Sequence, residues 1–246
     1  MKGEYYNIHG LWKGGRNKRN KIMAKNKTSL EAIAVLLNSK KIILNDLRGI
    51  IKKGSFNYRT FGVAIEPYIS DIIIRIFKNN KIIKDQNDYK LAPDKNYFPD
   101  FELITKPPIA IEYKSGNEVK LEKGKWKICK NSNNDMGTLN TWLTKIKKFG
   151  SESIYYIFVV YKFNHITKEI TDIQIAPFYK FIGLNKVGLL SYREKDGNLR
   201  PKDFFKKSPI NSFADFDKLF KKTIVYRSKR IIKKHRQILR LLNLEE

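Results

Sequence analysis

One α/β domain is the fold class the sequence predicts, and three stretches carry that expectation. Residues 60–78 place Ile65, Tyr68, Ile69, Ile72, Ile73, Ile76 and Phe77 at i, i+3, i+4, i+7 spacing, the mark of a helix with one apolar face. The run SIYYIFVVYKF, residues 153–163, is apolar, β-branched and aromatic, as a strand covered on both faces must be. Residues 98–104 and 109–114 read as two further strands separated by TKPP, where paired prolines suit a turn. At 246 residues, 41% of them hydrophobic, the chain has material for one sizeable core.

The remaining elements follow in order. Residues 1–27 are basic, lack periodicity and read as an arm that either reaches into a nucleic-acid groove or frays. Thr28 and Ser29 are candidate N-caps for a helical pattern running to residue 52. Glu66 and Pro67 belong near the start of the 60–78 helix, since an interior proline would break or kink it. NSNNDMGT, residues 131–138, is a polar loop with capping residues for the helix LNTWLTKIKKF, residues 139–149. TDIQIAPF (171–178) and GLLSYRE (188–194) read as two strands. FADFDKLFKK (213–222) and SKRIIKKHRQILRLL (228–242) read as two helices. No repeat or linker divides the chain, so 1–246 is expected to form a single domain.

Charge narrows the partner. Lys and Arg number 50 against 24 Asp and Glu, a formal net charge of +26. Such a chain repels itself when compact, and phosphate neutralisation with counterion release makes nucleic acid the first expected partner. Biased codon usage toward Lys, Asn and Ile is the bland explanation, and an anionic membrane surface a weaker functional one. The polar, basic N-terminus has no apolar core for a signal peptide, and no run approaches the ~20 apolar residues of a spanning helix. No membrane association is expected, and a cytoplasmic setting is. The single cysteine, Cys129, excludes an internal disulfide framework and a cysteine-based zinc site. His9, His165 and His235 show no ligand spacing.

The segment NYFPDFELITKPPIAIEYKSG, residues 96–116, carries the chemistry. On an extended strand Ala110, Glu112 and Lys114 share one face while Ile109, Ile111 and Tyr113 pack on the other. If the two strands pair as a hairpin, Asp100 comes within a few ångströms of Glu112. Two carboxylates so placed repel, and a divalent cation relieves them; Mg²⁺ is commonly held by one or two carboxylates plus waters and substrate phosphate oxygens. The Lys114 ammonium would orient or help deprotonate a water aimed at phosphorus. The alternative is a surface hairpin with a salt bridge.

Pro99-Asp100 followed by Glu112-Tyr113-Lys114 resembles the PD-(D/E)xK signature of metal-dependent nucleases. The order of a helix with Glu66, YFPDFEL, IAIEYKSG, a polar loop, a helix and YYIFVVYKF resembles type II restriction endonucleases, particularly the EcoRV/HincII-like group. The resemblance covers about residues 55–165 and departs from that group in having Glu, not Asp, before x-Lys. It implies a restriction-endonuclease-like central mixed β-sheet flanked by helices, with basic N- and C-terminal elaborations. The parts would be a basic arm at 1–27, a catalytic core at 28–165, and a DNA-recognition and basic helical part at 166–246. It further implies Asp100, Glu112 and Lys114 as catalytic residues, with Asp100 and Glu112 as ligands to Mg²⁺ (or Mn²⁺ as a substitute) and no nucleotide cofactor. Glu66 corresponds to an acid that helps organise the metal site; Glu31 competes for that role and Glu102 for that of Glu112. A homodimer would cut a short, usually palindromic site in double-stranded DNA, leaving 5′-phosphate and 3′-hydroxyl ends.

Candidate DNA contacts lie on three segments. Ser115, Asn117 and Lys120 follow the second strand. Asn131, Asn133 and Asn134 with Thr138, Asn140 and Thr141 occupy the polar loop and helix start, where Asn suits adenine. Arg193, Lys195, Asn198 and Arg200 sit on a turn, where Arg suits guanine. Each has an ordinary alternative as a solvated or capping residue, and the basic C-terminal stretch reads equally as an amphipathic helix or a phosphate clamp. Competing functions are another PD-(D/E)xK nuclease, such as a junction resolvase or repair endonuclease, or a basic nucleic-acid-binding protein without catalysis.

Overall fold

A computed structural model describes residues 29–57, 59–94, 97–120, 126–128, 135–163, 167–202, 204, 206–242 and 244. Its centre is a sheet in which β1 (Tyr89–Leu91), β2 (Phe101–Leu103), β3 (Ile109–Lys120), β5 (Ile154–Phe163) and β6 (Lys168–Pro177) lie side by side in that order. A further strand, β4 (Trp126–Ile128), pairs with the far end of β3. β3 and β5 run parallel and the other neighbours antiparallel, so the sheet is mixed. The expected α/β architecture, helices flanking a central mixed sheet, is what the chain adopts.

β5 reads as an unbroken apolar run because it is covered twice. Tyr155, Ile157, Val159 and Tyr161 enter one core, shared with Ile109, Ile111 and Tyr113 of β3. That core is closed by helices α1 (residues 29–38), α2 (Lys40–Lys53), α3 (Phe61–Ala64) and α4 (Glu66–Asn79). Tyr156, Phe158 and Val160 enter a second core with Ala110, closed by α5 (Leu139–Phe149) and α6 (Phe213–Leu241). Trp142 of α5 is wholly buried at its middle. Its ring stacks on Phe178 with centroids 4.1 Å apart, and its indole N–H donates to the Met136 carbonyl at 2.8 Å.

Four elements differ from the sequence expectation, each for a local reason. The 28–52 pattern is two helices, because at Ser39 the hydroxyl donates back to the Val35 carbonyl at 2.6 Å, a bond that competes with the helical ladder. The 60–78 pattern breaks at Ile65: Pro67 offers no N–H and is accommodated in the first turn of a new helix. Tyr68, expected on its apolar face, is exposed. Residues 188–194 are no strand. They form single bridges, Leu184 with Leu190 and Tyr192 with Leu199, and the turns at Gly188 and Gly197 have φ of +74° and +75°, where glycine is favoured.

Residues 213–242 form one helix, not two. Thr223, between the two expected helices, is buried with its hydroxyl donating to the Leu219 carbonyl and accepting from the Leu190 N–H. α6 starts in a capping box between Ser212 and Asp215. Only Phe216, Phe220 and Thr223 of α6 are buried, and Ile231, Ile232, Ile238 and Leu239 are exposed. Among the described residues, no helix is long and apolar enough to cross a membrane.

Removing the Trp142 ring leaves a cavity at the point where α5, α6 and β5 meet. Trp142→Ala is expected to lower unfolding free energy by about 3–5 kcal/mol, measured by denaturant titration with the m-value unchanged.

Candidate active site

The site lies where one strand stops and its neighbour continues. β2 pairs with β3 only through Phe101–Ile111, Glu102–Ala110 and Leu103–Ile109. The next N–H on β3 facing that side, Tyr113, has no strand partner, and the Asp100 carboxylate accepts from it at 2.5 Å. Asp100 is thereby held beside Glu112, the neighbouring residue of β3. Glu112 and Lys114 emerge on the face of Ala110, and Lys114 Nζ donates to Glu112 Oε1 at 2.6 Å, 6.0 Å from the centre of the Tyr156 ring. On the other face the Tyr113 hydroxyl shares a buried hydrogen bond of 3.0 Å with Ser70 of α4, one turn along from Glu66. That bond ties the helix carrying Glu66 to the strand carrying Glu112 and Lys114.

The charges of Asp100, Glu112, Lys114 and Glu66 act on one another. Asp100 is pushed up to about 7, first by burial and then by the Glu112 charge, against Lys114 and the Tyr113 N–H. Burial likewise raises Glu66 to about 7, with Lys114 opposing and Glu112 reinforcing. Burial alone would push the Lys114 ammonium down, but Glu112, Asp100 and Glu66 together raise it. Glu66 and Asp100 also line a cleft of about 360 Å³ with Asp71, Asp94 and Ser70. The expected quartet of Asp100, Glu112, Lys114 and Glu66 is therefore brought together. Glu31 lies exposed on α1, and Glu102 is engaged by Lys148 at 2.9 Å.

One atom in the cluster is unsatisfied. Glu112 is 8% exposed, and its Oε2 is buried without a hydrogen-bond partner. A buried carboxylate oxygen left bare is costly, and here it sits beside a second carboxylate whose own burial already favours protonation. Among the described residues no three His, Cys, Asp or Glu converge as a complete metal cluster. Two carboxylates with one bare oxygen suit instead a hard cation that completes its shell with water and phosphate oxygens.

The expected DNA contacts fall into distinct situations. Asn131, Asn133 and Asn134 lie outside the described residues. Ser115 is buried at 6% exposure. The Asn117 amide pairs with both backbone groups of Phe163, donating at 3.3 Å and accepting at 3.2 Å. Thr138 caps α5, accepting from the Thr141 N–H at 3.2 Å, and bridges to Asn198. Arg193 pairs with Asp196 and with Asp135 at 3.0 Å; Arg200 also pairs with Asp135. Asn198 donates to Asp196 through its backbone and its amide, both at 3.0 Å. The loop at 190–200 and the start of α5 thus form one ion-paired unit, from which Asn140 and Lys195 stand exposed.

Lys145 of α5 escaped the sequence reading. Its Nζ lies 3.7 Å from the Phe98 ring centre and 5.0 Å from that of Trp142, and the charges of Glu112, Lys114 and Asp100 act on it. The signal was present: Lys145 follows Trp142 by three and precedes Phe149 by four, two of the three side chains that α5 buries.

No family model matches the chain, and no curated protein does. Among solved structures, it is similar to NlaIV restriction endonuclease, with a TM-score of 0.49 and 14% sequence identity over 70% of this chain and 67% of that one. A likeness that distant carries no residue role from one protein to the other.

The raised carboxyls fix the sign of a pH effect. Asp100 and Glu66 ordinarily titrate at 3.8 and 4.5 and here at about 7. Between those values the folded chain holds protons that the unfolded chain has released, so stability falls as pH rises through this window and levels off above it. Asp100→Asn keeps an oxygen for the Tyr113 N–H and removes the charge. Without divalent metal it is expected to be more stable than wild type by at least about 1 kcal/mol at about pH 8, with the gap closing near pH 4. Chelated denaturant titrations at the two pH values check this.

Proposed function

We propose that the protein is a Mg²⁺-dependent DNA endonuclease of the type II restriction kind, hydrolysing phosphodiester bonds of double-stranded DNA at a short palindromic site. The observation that supports this best is the bare Glu112 Oε2 beside Asp100, with Lys114 bonded to the same Glu112 carboxylate, in a chain of net charge +26. Asp100 and Glu112 would hold the cation, which when bound lowers the pKa of a coordinated water and offsets phosphate charge.

The chain's own groups do the rest. The Tyr113 N–H and the end of β2 fix Asp100. Glu112 Oε1 fixes the Lys114 ammonium, which orients the water for in-line attack on phosphorus. Glu66, raised to about 7 by burial and lining the same cleft as Asp100, would help organise the metal site and could take the water's proton. As the water oxygen bonds to phosphorus the P–O3′ bond breaks, and the departing 3′-oxyanion takes a proton from solvent, leaving a 5′-phosphate and a 3′-hydroxyl. A homodimer matches a palindrome because both have two-fold symmetry.

The test is incubation of unmethylated plasmid and phage DNA with protein and Mg²⁺. Discrete fragments are expected, with Asp100→Asn, Glu112→Gln and Lys114→Met each slowing cleavage by at least about 10³-fold. Cutting of branched substrates alone would point to a junction resolvase. Binding without metal-dependent cleavage would leave a non-catalytic nucleic-acid-binding protein.

A further inference from the structure

We propose that Lys145 is a further catalytic residue, whose ammonium binds a non-bridging oxygen of the scissile phosphate. This rests on the nuclease reading above. α5 buries Trp142 and Phe149, and Lys145 occupies the same face between them. A leucine or methionine would pack there without the cost of withdrawing a charge from water. The ammonium rests instead on the Phe98 and Trp142 rings, 3.7 and 5.0 Å from their centres, and Phe98 leads directly into Pro99-Asp100. Among the described residues its contacts are with these two rings and not with a carboxylate or carbonyl.

The second amine at the site is not equivalent. Lys114 is committed to Glu112 at 2.6 Å, whereas Lys145 is near enough to Glu112, Asp100 and Lys114 to sense all three charges but is bonded to none. Its position also constrains the backbone beside it. Gly137 has φ of +85°, which favours glycine, and a Cβ there would stand 3.2 Å from Lys145 Nζ. An aromatic shelf holds a cation in place without neutralising it, which leaves the charge for phosphate. Burial lowers the Lys145 pKa to about 8, and an anion bound to the ammonium would raise it again.

The test separates charge from packing. Lys145→Met keeps the stem and removes the charge, while Lys145→Ala opens a space that a small amine can enter. In single-turnover cleavage of plasmid DNA with Mg²⁺, Lys145→Met is expected to be slower by about 10²-fold. Its thermal midpoint is expected to be at or above that of wild type, and its DNA affinity in Ca²⁺ lower by no more than about 10-fold, the loss of one phosphate contact. Added ethylammonium is expected to restore Lys145→Ala in part, and ethanol is not. Lys145→Met cutting at the wild-type rate, with Asp100→Asn inactive, would overturn the role of Lys145 and leave the nuclease reading standing. So would a lowered thermal midpoint in Lys145→Met with no amine rescue of Lys145→Ala. A wild-type protein without metal-dependent cleavage would overturn both.

Discussion

The early end of β2 is the constraint on which the site depends. Were β2 two residues longer toward its N-terminus, this register would set Pro99 opposite Tyr113 and its carbonyl could take the Tyr113 N–H. Instead the chain turns away at Pro99 and the Asp100 side chain takes that N–H, which brings a carboxylate into a half-buried position against Glu112. A backbone hydrogen bond is among the strongest local demands in a sheet. It holds Asp100 in place although burial and a neighbouring negative charge both disfavour its ionised form. The acidic pair is thus maintained by the ladder around it and not by mutual attraction.

A cluster of this kind is unusual in a chain so rich in Lys and Arg. Glu102, Asp46 and Asp217 each pair with a nearby cation, as surface acids ordinarily do. Glu112 takes one amine on one oxygen and leaves the other bare, while Asp100 and Glu66 remain poised near neutrality. The Ser70–Tyr113 bond keeps Glu66 within range from the opposite layer. A net charge of +26 with an acidic cleft is the combination on which the proposed function rests: the first draws in a polyanion, and the second is where a hard cation would meet its phosphate.

Much of this was legible because period-two alternation is a strict rule. Placing Glu112 with Lys114 on one face needed only strand geometry, Asp100 beside Glu112 needed the further condition that the two strands pair as a hairpin, and the 139–149 helix was bounded at its start by the capping residues of the 131–138 loop, of which Thr138 is the cap. What could not be read depended on distant partners. Nothing local pairs Arg193 and Arg200 with Asp135, 58 and 65 positions away. Nor does anything local show that Leu190 and Leu199 are buried from a looping segment and not from a strand. Lys145 could not be read for the same reason: its neighbour Phe98 lies 47 positions away, and nothing local brings the two together.

The central claim is that Asp100 and Glu112 are held together in order to share a divalent cation. Isothermal titration of the protein with Mg²⁺ in the absence of DNA, near pH 7 in buffers of differing ionisation enthalpy, tests it most directly. The account predicts saturable binding accompanied by proton release, because carboxyls with pKa near 7 must ionise to accept the metal, and loss of both in Glu112→Gln. Binding that is absent, or that is unchanged in heat and proton release when Glu112 is replaced, would contradict it.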